Sequence, residues 1–275
     1  DVAYHLNRIE GIRSGLLGGQ FPVRVHTGSI WGFGYGSSLF YPELLLYFPA
    51  VLRICGVSLV TAVKLYLVLI NLLSGWLMYL AASRILGSRP AGLAAGLFYL
   101  AAIFRLGEGY IDAAYGQFSA MAFLPLLCLG VYELLAGDWR RWGYAVAGFT
   151  LVFQTHILSA VWSARFILAA ALVMIRNLRQ KERLLACLKA AGMTFLLNLW
   201  FLLPMVYMMG EPMNLEVLYC PFTEYTVPFA LLFKVVPEIG FSTTKEGVKL
   251  ENVLPLTIGL ALLVSNLLLF VSSMK

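Results

Sequence analysis

Residues 60–82 read VTAVKLYLVLINLLSGWLMYLAA, an apolar run whose only charge is Lys64, near its start. A helix rising 1.5 Å per residue needs about 20 such residues to cross a ~30 Å hydrocarbon core. This stretch therefore reads as a membrane-spanning helix, and further candidates follow it. Apolar segments at 90–104, 118–136, 143–157, 159–175, 190–209 and 253–271 have the same character. Composition agrees, since 60% of the 275 residues are hydrophobic and only 12% charged. Soluble domains carry about a quarter charged residues, so a soluble enzyme, a disordered tail and a secreted disulfide scaffold are all excluded. The run from Trp142 to Ile175 is too long for one crossing. Its polar interruption at Gln154-Thr155-His156 with Ser159 predicts a tight turn between two short spans.

Lys and Arg placement orients the chain. The connection at Ser83–Arg89 carries Arg84 and Arg89, and that around Gly137–Trp142 carries Arg140 and Arg141 between two tryptophans. The connection 176–189 carries Arg176, Arg179, Lys181, Arg183 and Lys189 against Glu182 alone. Alternating crossings put all three on the cytoplasmic side. Segment 210–252, richer in glutamate than in lysine, suits the outer face.

Residues 1–58 then form a large first outer loop. Val2, Leu6, Ile9, Arg13 and Leu16 follow the 3.6-residue period while Tyr4, His5, Asn7, Arg8 and Glu10 fill the other face, which predicts an amphipathic helix lying on the membrane. Residues 39–55 are apolar enough to span, yet Pro42, Pro49 and Glu43 interrupt them, so a second interfacial helix is expected there. Between the two lies a glycine- and aromatic-rich loop, Gly28-Ser29-Ile30-Trp31-Gly32-Phe33-Gly34-Tyr35-Gly36, whose rings suit an interface. The four cysteines form no CxxC pair and no zinc-like spacing.

Several short motifs occur in a particular order along this profile. They are Asp1-x-x-Tyr4-His5-x-x-Arg8, Gly19-Gln20-Phe21-Pro22-Val23-Arg24, the Gly32–Gly36 loop and Phe40-Tyr41-Pro42-x-Leu44. Tyr47-x-Pro49-Ala50-x-Leu52, Gly56, Phe123-Leu124-Pro125-Leu126 and His156-Ile157-Leu158-Ser159 continue the series. In their order and spacing the chain resembles the GT-C class of membrane glycosyltransferases. More narrowly, it resembles the bacterial membrane proteins known as 6-pyruvoyl-tetrahydropterin-synthase-related or YfhO-type. The resemblance covers most of residues 1–205. It implies an all-α, GT-C-like bundle of about seven transmembrane helices with interfacial helices in the outer loop 1–58. Six spans would lie within 59–209, with an outer loop at 210–252 and a further span in 253–275. It also implies a bacterial plasma-membrane protein acting on a polyprenyl-phosphate sugar at the outer face, among membrane lipids and without nucleic acid. An Asp follows the first crossing in that class, so a transmembrane helix is expected ahead of Asp1. Where this chain has Asp112 and Gln117, the family commonly carries a basic residue and a glutamate.

Transfer from a lipid phosphate needs a base for the acceptor hydroxyl and groups that neutralise the departing phosphate. The resemblance makes Asp1 the base, with an N-terminal helix cap as the competing role. His5, Arg8 and Arg24 are bases on the outer face, read either as a lipid-phosphate site or as headgroup contacts. His156, at the outer end of a crossing, is a second catalytic candidate or an interhelical hydrogen-bonding group. Glu108 and Asp112, four apart, would share a face if their segment is helical. They are candidates for a second carboxylate or for a divalent cation such as Mg or Mn, and otherwise solvated loop charges. A transporter or lipid flippase, which would call for broken helices and mid-membrane charges, and a non-catalytic lipid-phosphate-binding protein of the same fold are the rival readings.

Overall fold

The computed structural model describes residues 1–210 and two short strands, Ser242–Thr244 and Gly247–Lys249, which pair antiparallel. Apart from those strands, the outer loop expected over 210–252 and the span expected over 253–271 lie outside the described residues. Nine helices make up residues 1–210: α1 (Val2–Leu17), α2 (Tyr47–Ile54), α3 (Leu59–Leu86), α4 (Arg89–Leu100), α5 (Ile103–Tyr110), α6 (Tyr115–Leu135), α7 (Gly143–Phe153), α8 (Ile157–Val173) and α9 (Lys181–Met209).

The helix ends follow from local chemistry. Ser58 accepts the Thr61 N–H at 3.2 Å and starts α3. Gly87, at φ 65°, closes it in the left-handed conformation that lacks a steric cost only for glycine. Ser88 then caps α4, with Pro90 in its first turn. The interruption at Gln154-Thr155-His156 does separate two helices, α7 and α8.

Three helices, α3, α6 and α9, are long and apolar enough to cross a membrane. A fourth span results if α4 and α5 count together, although they bend by 44° at Ala101–Ala102. α7 and α8, at 11 and 17 residues, fall short of the ~20 a full crossing requires. The chain is thus a helical protein with at least three membrane-spanning candidates. Residues 105–118, which separate the apolar segments 90–104 and 118–136, hold most of α5 and the start of α6.

α6 is the central helix and packs on α3, α5, α7, α8 and α9. Its approach to α7 is closest at two glycines. A Cβ on Gly130 would lie 2.1 Å from the Ala145 nitrogen, and one on Gly148 would lie 2.5 Å from the Leu127 nitrogen. Lipid gives helices no hydrophobic drive to associate, so backbone-to-backbone van der Waals contact of this kind holds them together.

The basic connections gather at one end of the bundle. Arg84 and Arg141 lie 3.4 and 3.1 Å from Glu133, and Arg141 also pairs with Asp138 at 3.5 Å. Arg183 donates to the carbonyls of Glu133, Leu134 and Gly137. At the opposite end sit α1, α2, the α5–α6 turn and the α7–α8 turn.

α1 is buried on two sides instead of lying on the surface as expected. From the expected apolar face Ile9 is fully buried and Leu6 and Leu16 pack on the core, with Ile12 beside them, while Val2 is exposed. His5 and Arg8 are buried as well, because Tyr115 meets the first and Tyr41 and Glu43 meet the second.

Candidate functional site

Arg8 is 1% exposed, and its guanidinium is fully engaged on one edge. Nε donates to Glu43 Oε2 at 3.2 Å, and one terminal nitrogen donates to the carbonyls of Tyr41 (3.2 Å) and Pro42 (3.0 Å). The Tyr41 ring stacks on it at 4.4 Å. Glu43 in turn accepts from the Ser38 hydroxyl, which lies 2.8 Å from His26 Nε2. A buried charge is tolerated only when paired and hydrogen-bonded, and here Glu43 supplies that pairing from a segment 35 residues away. Arg8 therefore fastens α1 to residues 38–43. In the sequence Glu43 stands out only as a break in an apolar run, and nothing there marks His26 or Ser38 as its partners.

One turn up α1, a second set of side chains converges. The Asp1 nitrogen is 3.3 Å from the Asp112 carbonyl oxygen, which brings the start of α1 onto the α5–α6 turn. His5 is 2% exposed and packs on Tyr115 at 5.2 Å between ring centres. Burial, reinforced by the Arg8 charge and by nearby His156, holds the His5 imidazole down to about 3. His5 is thus neutral at pH 7, and its Nδ1 is buried without a hydrogen-bond partner. Tyr41 lies 6.0 Å from the His156 ring. His156 caps α8, its Nδ1 accepting the Ser159 N–H at 3.2 Å and lying 2.8 Å from the Ser159 hydroxyl. With Nδ1 accepting, the neutral ring carries its proton on Nε2.

Asp1 and Asp112 therefore meet through their main chains, with His5 close to the chain start and to His156, at the end of the bundle away from the basic connections. Asp1 makes no capping hydrogen bond to α1. The α5–α6 turn beside it holds Ala113 at φ 53°, a left-handed conformation costly for a residue with a Cβ. Glu108 is buried on α5, close enough to Asp112 for their charges to interact. α5 ends at Tyr110, so the helical segment on which the two could have shared a face stops short of Asp112, which sits in the turn. Among the described residues Glu10 pairs with Arg53 and Arg13, Glu43 with Arg8, Glu133 with Arg84 and Arg141, and Asp138 with Arg141. Asp1, Glu108 and Asp112 have no such cation.

Arg24 is elsewhere. It stacks on Trp200 of α9 at 4.9 Å and donates to that residue's carbonyl. Of the residues expected to bind phosphate, His5 is neutral, Arg8 is charge-compensated and Arg24 is docked on α9.

No group of three or more His, Cys, Asp or Glu side chains forms a metal-ligand cluster among the described residues. A hard cation shared with a phosphate needs less, because Mg²⁺ is commonly held by one or two carboxylates together with phosphate oxygens and water. Glu108 and Asp112 fit that partial role and not a closed cage.

A second feature was not foreseen at all. Arg105, 2% exposed, donates to Asn71 Oδ1 and Ser74 Oγ at 2.8 Å each and faces Phe118 at 4.4 Å, with Nε unpartnered. It fastens α5 to the middle of α3, with no carboxylate paired to it among the described residues.

Compared with known protein families, curated proteins and solved structures, the chain matches none.

Proposed function

We propose that this chain is a GT-C-type glycosyltransferase of about seven crossings in the bacterial plasma membrane, moving a sugar from a polyprenyl-phosphate donor to an acceptor on the outer face. The observation that carries the reading is that Asp1, Glu108 and Asp112, whose carboxylates have no ion-pair partner among the described residues, lie with His5 and His156 at the end opposite the basic connections. Asp1, exposed and unoccupied by capping, acts as the base. It takes the proton of the acceptor hydroxyl as that oxygen bonds to the anomeric carbon. The bond from that carbon to phosphate breaks, the electron pair leaves with the polyprenyl phosphate, and the configuration inverts. His156 Nε2–H is the donor available to the departing phosphate. Glu108 and Asp112 would hold a divalent cation, whose chemistry is neutralisation of phosphate charge.

The test is transfer of radiolabelled hexose from polyprenyl-phosphate hexoses in membranes containing the protein. Asp1→Asn, which keeps size and hydrogen bonding, is expected to abolish transfer at unchanged protein level. Parental transfer by that variant removes the assignment of the base.

One observation favours a different class. A buried Arg105 at the 44° break between α4 and α5 is the broken-helix, mid-depth charge that transporters and flippases use. Flipping of a fluorescent lipid by reconstituted protein, lost in Arg105→Gln and retained in Asp1→Asn, would support that reading over transfer.

A further inference from the structure

Between Arg24 and Glu43 the chain carries no Asp, Glu, Lys or Arg. Within it, His26 and Tyr35 exchange backbone hydrogen bonds at 2.9 and 3.2 Å and close a short hairpin. Its base is rigid, since His26 is 1% exposed and joined to Ser38 and Glu43. Its tip is the reverse: Trp31 is 98% and Phe33 89% exposed, with Ile30 at 55% and nearby Phe21 at 80%. Ile30 and Trp31 both adopt left-handed backbone, at φ 52° and 57°. For a β-branched and an aromatic residue that conformation is a genuine outlier. Both residues are exposed, so among the described residues no core packing at the tip accounts for it.

The hairpin's depth follows from Arg24, which anchors its base to Trp200. Trp200 is seventeen residues along α9 from Arg183 of the basic ring, about 26 Å at the helical rise. With the basic ring at one edge of a ~30 Å core, Trp200 stands near the other edge, the depth that indole rings favour. Phe21 meets Tyr47 of α2 edge-on at 6.1 Å, and α2 continues the apolar rim with exposed Phe48 and Val51.

We infer that the hairpin is a membrane-seated finger whose Ile30, Trp31 and Phe33 side chains enter the headgroup–acyl boundary of the nearer leaflet. A lipid surface explains four features together: the absence of charge, the aromatic tip, the rigid base at interfacial depth and the continuity with α2. Behind the finger lies a polar cavity of about 510 Å³ lined by Asn7, Glu10, Arg13, Ser14, Ser29 and Tyr35. The same seating opens that cavity at headgroup depth. The inference does not depend on the transferase reading.

The test places a nitroxide on Trp31→Cys, and separately on Phe33→Cys, in the full chain with its native cysteines replaced by alanine. The protein is held in phosphatidylcholine–phosphatidylglycerol nanodiscs. Collision with oxygen is compared with collision with a water-soluble nickel chelate, using Glu182→Cys and exposed, mid-span Leu196→Cys as aqueous and lipid references. Oxygen-dominated accessibility at both tip positions, as at 196, is expected. Nickel-dominated accessibility, as at 182, overturns the inference. Spin–spin broadening between tip labels, the sign of a second copy seated on the finger, overturns it as well.

Discussion

Replacing Glu43 with glutamine leaves the Arg8 guanidinium 1% exposed with its two carbonyl acceptors but no counter-charge. Removing one partner of a buried ion pair costs about 3–5 kcal/mol, since the remaining charge is dehydrated and uncompensated. Ser38 and His26 lose a carboxylate acceptor in the same substitution. In a two-state domain of roughly 200 residues, 1 kcal/mol moves the melting temperature by about 2–4 °C. Glu43→Gln should therefore melt on the order of 10 °C below the parent in detergent. Arg8→Met should fall by a similar amount. The double variant Arg8→Met/Glu43→Leu removes both charges and should be more stable than the two single losses sum to, although the Tyr41 and Pro42 carbonyls then lack a donor, at about 1–3 kcal/mol each. Circular dichroism melts of the four proteins give the coupling directly. Melting of Glu43→Gln within about 2 °C of the parent, or strict additivity in the double variant, would refute the assignment of Arg8–Glu43 as the fastening between α1 and residues 38–43.

Gly130→Val sets side-chain atoms against the Ala145 backbone and should separate α6 from α7; overpacking costs about 1–3 kcal/mol where neighbours can shift, and more against backbone, so a lower melt and faster proteolysis of the 137–142 connection are expected. His5 has a folded-state value of about 3 against the usual 6.5, so the unfolded chain binds the extra proton. Its contribution to stability is whole above pH 6.5 and is lost as pH falls toward 3, by up to ~1.4 kcal/mol per pH unit. The melting temperature of the parent should therefore fall more steeply between pH 7 and pH 4 than that of His5→Phe, and equal slopes would contradict a buried neutral His5. Arg24→Ala should free the hairpin base from α9, seen as faster protease cleavage within residues 25–36 at an unchanged global melt.

The helical, membrane-spanning character was legible in the sequence because it is written in runs and periods. The 60–82 run became the long helix α3, and the polar triplet at 154–156 became the break between α7 and α8. Pairing at a distance is not written in the sequence in that way. Nothing near Arg8 announces that Glu43 neutralises it, so a helix with a polar face looks like a surface helix, although His5 and Arg8 are buried along with Ile9. Arg105 gave the same difficulty, because its partners Asn71 and Ser74 lie a full helix earlier. The candidate site was legible as a set of residue types, and Asp1, His5, Asp112 and His156 do come together. Their mutual distances and charges were not: the neutrality of His5 comes from burial, and the parting of Glu108 from Asp112 comes from α5 ending at Tyr110.

The account rests most on which side of the membrane the unpaired carboxylates face. The direct measurement is labelling of Val2→Cys, beside Asp1, with a membrane-impermeant maleimide in intact spheroplasts and after permeabilisation, in a chain otherwise free of cysteine. Glu182→Cys at the basic end is the reference. Reaction at position 2 in intact cells, with position 182 protected until the membrane is opened, is the predicted result. Protection at position 2 with reaction at 182 would invert the molecule and contradict transfer at the outer face.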